Sequence, residues 1–167
     1  ADKFIKEYSI LEKISKNRKL RLLDTNKTFK DIKNLSLPLL GSFQRKNLSM
    51  AILAARLCNL DYNKINSALK KIKNIDGRLE LIKKYPNNIR VFIDYAHTPD
   101  ALQEVIKSLK NTLNTNISLV FGCGGERDFK KRSLMAEIAK SFCEKIYVTD
   151  DNPRKENPKK IRKEIIN

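Results

Sequence analysis

Three short segments of this 167-residue chain hold residues whose types and spacing suit chemistry. The first, Asp94-Tyr95-Ala96-His97-Thr98-Pro99, sets a carboxylate, an imidazole and a hydroxyl side by side. A helix opened by Pro99 would follow at once, and helix N-termini favour anions. His97 and Thr98 are therefore candidate ligand contacts. They have a plainer reading as well, Thr98 as the helix cap and His97 as a surface residue. The second segment, Gly122-Cys123-Gly124-Gly125-Glu126-Arg127-Asp128, has three glycines in four positions, which lets the backbone approach a ligand closely. Its spacing is not G-x-G-x-x-G and no Gly-Lys-Ser or Gly-Lys-Thr follows, so it matches neither dinucleotide fingerprint nor P-loop. Arg127 beside those glycines points to anion recognition, and Cys123 reads as a small residue filling a tight turn. The third segment, Thr149-Asp150-Asp151-Asn152-Pro153-Arg154, presents an amide and a guanidinium from one Pro-stiffened turn. Arginine is the side chain suited to gripping a carboxylate through two parallel hydrogen bonds. Together the two arginines suggest a small ligand bearing carboxylates.

The elements that must position these loops are legible over the second half of the chain. Arg90–Asp94, Ile117–Phe121 and Lys145–Thr149 are short apolar runs that read as strands. Helical patterns follow each of them, from Pro99, from about Lys131 and from about Pro158. This β-α-β-α-β-α order predicts an α/β fold with a parallel sheet and right-handed crossovers. Ligands in such sheets bind beyond the carboxyl ends of the strands, where all three segments lie. Further upstream, Asn47–Asn59 reads as a well-packed helix, and Asp61 as the cap of a second with Ile65, Ala68, Leu69 and Ile72 on one face. Asp76-Gly77 breaks the pattern and suits a domain boundary. The first forty residues read mainly as strands, from the alternation in Arg18–Leu23, despite the helical spacing of Phe4, Tyr8 and Leu11. Asp24-Thr25-Asn26 is turn chemistry, and Leu35–Leu40, stopped by Gly41, reads as a buried strand.

Composition narrows the classes. Hydrophobic residues make up 41% and charged residues 32%, a globular balance with no run long enough for a transmembrane helix. The N-terminus, Ala1-Asp2-Lys3-Phe4, lacks the apolar core of a signal peptide. Cys58, Cys123 and Cys143 form neither a disulfide framework nor a metal clamp, so a reducing cytoplasm is expected. The net charge of +16 raises the question of a nucleic-acid partner. The lysines are scattered, however, and no aromatics alternate with them to form a stacking platform, which argues against one.

The strings D-Y-A-H-T-P-D-A-L, F-G-C-G-G-x-R-D-x-x-K-R-x-L-M and T-D-D-N-P-R closely resemble the Mur ligases. Gly77-Arg78-Leu79-Glu80 is similar to that family's G-R-M-E or G-R-L-E, and Gly41–Asn47 to its G-x-F-N-x-x-N. The resemblance runs from Leu39 to the end. It implies residues 1–76 as the last part of a central ATPase domain and 77–167 as most of a Rossmann-like C-terminal domain. It implies ATP as a substrate, bound in part by Asn47, Arg78 and Asp94, with Asp94 at the ribose and Arg78 at the phosphates. Arg127, Asn152 and Arg154 would contact meso-diaminopimelate, with Asp151 and Pro153 shaping the turn. The nucleotide precursor would be UDP-N-acetylmuramoyl-L-alanyl-D-glutamate, in a cytoplasmic, monomeric ligase of peptidoglycan synthesis acting through an acyl phosphate. No catalytic residue is assigned within these residues. The family's phosphate loop, carbamoylated lysine, Mg²⁺ ligands and later G-x-G-H-E segment are not found among them, so the isolated chain is expected to be inactive. Gln44 stands where the family has Asn, keeping the amide on a side chain one methylene longer.

Other readings stay open from sequence alone. A lysine-adding ligase or a folylpolyglutamate-synthase-like ligase would share the chemistry, although D-N-P-R argues against lysine. A basic binding module that keeps the fold without the activity, or an inert fragment, are alternatives of another class.

Overall fold

The computed structural model describes residues 7–32 and 34–167. The chain divides into two compact units, Ala1–Asn74 and Ile75–Asn167.

Among the described residues the first unit is helical: α1 Tyr8–Asn17, α2 Asn26–Ile32, α3 Ser42–Leu57 and α4 Tyr62–Leu69. The expected strands of the first forty residues are absent there. The helical spacing of Tyr8 and Leu11 prevails, while Phe4 lies outside the described residues. Among the described residues Arg18–Leu23 forms no strand, and Asp24 instead opens α2, its Oδ1 accepting the Asn26 N–H at 3.0 Å. Leu35–Leu40 forms no strand either. Pro38 removes a ladder donor, and Arg45 takes the carbonyls of Ile32 and Leu35 at 3.2 and 2.8 Å. α3 begins five residues before Asn47, directly after Gly41, whose φ of 87° turns the chain into it. Asp61 takes the N-cap position of α4 but makes no side-chain cap bond, and Ile72 falls beyond the helix. Ile32, Ile52 and Ile65 form the small core, with Leu48, Ala55 and Leu69 packed on it.

The second unit contains β1 Glu80–Lys84, β2 Arg90–Ile93, α5 Pro99–Leu113, β3 Ser118–Phe121, α6 Lys130–Phe142, β4 Lys145–Val148 and α7 Pro158–Ile166. β3 and β4 pair in parallel, Ser118 opposite Lys145 through Phe121 opposite Val148, with helices beside them. The expected sheet is corrected in one respect: β2 does not pair with β3 but runs antiparallel to β1. A hairpin causes this. Asn87 and Asn88, at φ 61° and 62°, reverse the chain, and the Tyr85 N–H closes on the Ile89 carbonyl at 2.8 Å. Leu102 and Ile106 of α5, Phe121, Cys123, Met135 and Ala139 of α6, and Ile161 and Ile165 of α7 form one core. Prolines begin α5 and α7, and side chains cap them: Thr98 Oγ1 accepts from the Ala101 N–H and Asn157 Oδ1 from the Lys159 N–H.

Candidate active-site loops

Because β3 and β4 are parallel and in register, the loops that follow them leave the same edge of the sheet. The two loops are interlocked. The Gly125 N–H donates to the Asn152 carbonyl at 2.9 Å, and Arg154 Nη1 donates back to the Gly125 carbonyl at 2.6 Å. This closeness explains the glycines. A Cβ on Gly122 would lie 2.5 Å from the Thr149 carbonyl oxygen, and one on Gly125 would overlap the Pro153 carbonyl. The Thr149 N–H, donating to the Phe121 carbonyl at 3.0 Å, extends the strand pairing into the loops.

Within this frame Asn152 Oδ1 accepts the Arg154 N–H at 3.2 Å, and Asp151 Oδ1 accepts the Asn152 N–H at 2.7 Å. The turn is thus folded by the carboxylate and amide on it, with Pro153 half-buried between. Arg154 sits at φ 50°, a left-handed conformation that L-residues adopt at a cost, and its side chain is exposed. Arg127 is exposed on the glycine loop two residues past Gly125 and makes no hydrogen bond or ion pair among the described residues. One guanidinium braced against the loop and another open to solvent at the same strand edge can bind carboxylates.

The first loop meets the same region through α6: Lys131 Nζ donates to the His97 carbonyl at 2.9 Å. Asp94 is engaged by backbone, Oδ2 accepting from the Leu79 N–H and Oδ1 from the Ala96 N–H, each at 2.8 Å. Those bonds tie β2 to the Gly77–Glu80 turn, where fully buried Leu79 is held at φ 44° and the Gly77 N–H meets Glu80 Oε2 at 2.7 Å. Each Asp94 oxygen keeps a lone pair for another donor. Exposed Arg78 lies over the Tyr95 ring, 5.1 Å from its centroid, and the His97 ring meets that same ring edge-on at 5.2 Å between centroids. Arg78, Asp94 and His97 are therefore brought together around Tyr95, while Thr98 serves as the cap of α5.

Asn47 belongs to the first unit, where it is exposed on α3, one turn from buried Gln44. Among the described residues no three His, Cys, Asp or Glu side chains gather as a metal site, and no metal is assigned to them. Burial raises the Cys123 thiol above its ordinary pKa, which disfavours a nucleophilic thiolate.

Sequence reasoning missed the most connected side chain of the region. Arg132 on α6 is only 2% exposed. Its Nη1 and Nη2 donate to the two oxygens of Glu156, each at 3.0 Å, and it also reaches Glu164 and the Gly124 carbonyl. Arg132 is the Arg of K-R in the glycine-loop motif, but no periodicity announces partners 24 and 32 residues away.

A family model for the Mur ligase, glutamate ligase domain, matches residues 77–167, and the chain belongs to the Mur ligase family. More particularly, it is similar to the UDP-N-acetylmuramoyl-L-alanyl-D-glutamate–2,6-diaminopimelate ligase of Rickettsia bellii. They are 42% identical over 98% of this chain and 37% of that protein. The protein of the same name from Rickettsia rickettsii is 45% identical over 80% of this chain and 27% of its own length. The chain thus spans well under half the length of these curated relatives. A solved structure of a 2,6-diaminopimelate ligase of that name aligns with a TM-score of 0.52 and 37% identity, over 78% of this chain and 26% of the other. Folylpolyglutamate synthase from Thermotoga maritima aligns at 0.56 with 26% identity, over 78% of this chain and 30% of the other.

Proposed function

We propose that these residues are the end of the central domain (1–76) and most of the C-terminal domain (77–167) of an ATP-dependent ligase. That cytoplasmic ligase adds meso-2,6-diaminopimelate to UDP-N-acetylmuramoyl-L-alanyl-D-glutamate in peptidoglycan synthesis. The observation that carries the reading is the interlock of the glycine loop with the D-N-P-R loop, which fixes Arg127 and Arg154 at one strand edge. The names of the more similar relatives support the substrate. ATP phosphorylates the D-glutamyl γ-carboxylate, releasing ADP. The diaminopimelate amine then attacks the acyl phosphate, a C–N bond forms, and phosphate leaves with the C–O bond electrons. Arg127, Asn152 and Arg154 hold the incoming amino acid, which is catalysis by orientation. Asn47, Arg78 and Asp94 contribute to the nucleotide side. Mg²⁺ bound with ATP would supply charge neutralisation at the phosphates, and none of the described residues is assigned to hold it.

Specificity tests the reading. Diaminopimelate has a distal carboxylate where lysine has only hydrogen, so Arg154 gains a bidentate partner with the first alone. Because Arg154 is exposed, water satisfies it when lysine is bound, which keeps the discrimination it supplies modest. In the complete ligase, Arg154→Ala should lower kcat/KM for diaminopimelate by about ten- to a hundredfold and narrow the preference over lysine. Arg154→Lys should restore only part of it. An unchanged ratio of the two kcat/KM values would refute the assignment.

A further inference from the structure

The Arg132 clasp is made of groups that the proposed chemistry does not use. Glu156 is its hub, taking both Arg132 Nη atoms at 3.0 Å. The same carboxylate accepts the Glu126 backbone N–H, immediately before Arg127, and the Glu156 N–H donates to the Pro153 carbonyl at 2.9 Å, immediately before Arg154. Arg132 in turn touches the Gly124 carbonyl. One ion pair, buried at Arg132 and partly exposed at Glu156, therefore holds the backbone just before Arg127, while the backbone of the same Glu156 closes the turn just before Arg154.

Stability alone is a weak reason for such a pair. Removing a guanidinium from water costs about as much as its ion pairs return, and well-packed apolar residues often serve as well. What the fork supplies is direction: two parallel bonds set the Glu156 carboxylate in one plane, and the two loops follow it.

We propose that Arg132 and Glu156 are positioning residues for the amino-acid acceptor subsite, setting the separation of Arg127 and Arg154. The inference rests on the acceptor-site reading above. Misplacement of a binding group by about 1 Å can cost a hundredfold. Loss of the fork should therefore act on the amino acid and leave the nucleotides alone.

The test uses the complete ligase, with KM measured separately for diaminopimelate, ATP and the UDP-linked dipeptide, and diaminopimelate affinity measured by calorimetry. Glu156→Gln, nearly isosteric, is expected to raise the KM and Kd for diaminopimelate about tenfold or more, with the other two KM values within about twofold. Arg132→Lys, which keeps the charge but not the fork, should do the same if the first variant folds poorly. Ile106→Val, in the core on α5, is the control for lowered stability and should move only Tm. If Glu156→Gln and Arg132→Lys behave like this control, the clasp is structural and the proposal is overturned. An increase shown by Arg154→Ala but by neither clasp variant overturns the positioning role alone. No increase with any of the three removes the acceptor-site reading itself, and the proposal with it.

Discussion

Arg154 combines a costly backbone with an exposed side chain, which is how a residue looks when its position matters more than its contribution to stability. Its φ of 50° costs an L-residue roughly 1–2 kcal/mol, and glycine would relieve that. Against this, Arg154→Gly loses the 2.6 Å bond to the Gly125 carbonyl, worth about 1 kcal/mol for an exposed donor. The two nearly cancel. The variant should keep its Tm within about 4 °C of wild type while losing most diaminopimelate-dependent turnover. Thermal unfolding and kinetics on the same preparation check this, and a large fall in Tm would make Arg154 a structural brace. Leu79, at φ 44°, differs because it is fully buried, and its strain is balanced by the Asp94 carboxylate that receives its N–H.

Elements were legible where local signals were strong and illegible where a distant partner decided. Pro99 and Pro158 mark the starts of α5 and α7 because proline's fixed φ suits a first helical turn. The alternation in Arg18–Leu23 misled because a strand exists only with a neighbour, which period-two spacing does not supply. β1 escaped notice for a related reason: its pairing depends on the left-handed Asn87-Asn88 turn, which went unread in Tyr85-Pro86-Asn87-Asn88-Ile89. The three chemical loops were found from glycine, proline and arginine, whereas the α6-to-α7 clasp needed three dimensions. That clasp has a pH signature. The hydrogen bond from Arg132, then that from the Glu126 N–H, hold Glu156 below its usual carboxylate pKa. A depressed folded-state pKa gives stability that is present above the unfolded value, about 4.3, and lost as pH falls through the folded one. The Tm gap between wild type and Glu156→Gln should thus stay level from pH 8 to about pH 5 and narrow in more acidic buffer. A gap that stayed constant into acid would mean that the charge on Glu156 contributes nothing.

For the whole molecule the decisive fact is which functions its two units divide among themselves. The second unit holds the candidate acceptor loops and the Arg78–Asp94 group, and the family match covers 77–167 of it. The first unit offers Asn47 on a helical framework. Among all 167 residues no Gly-Lys-Ser or Gly-Lys-Thr follows a glycine-rich loop, so no group here fixes the β- and γ-phosphates in the manner of a P-loop. Phosphoryl transfer depends almost wholly on that fixation together with Mg²⁺, and an aligned amine has nothing to attack until the acyl phosphate exists. The 167-residue chain alone should therefore release no phosphate from ATP in response to diaminopimelate and the UDP-linked dipeptide. A coupled phosphate-release assay at high protein concentration reads this directly. Binding should survive where turnover does not, because the acceptor loops are braced by bonds wholly inside Ile75–Asn167. Calorimetry should find weak diaminopimelate binding to this chain that Arg154→Ala abolishes. Turnover by the isolated chain would show that residues within it fix the phosphates without a P-loop. Binding indifferent to Arg154 would remove the acceptor site from the D-N-P-R loop.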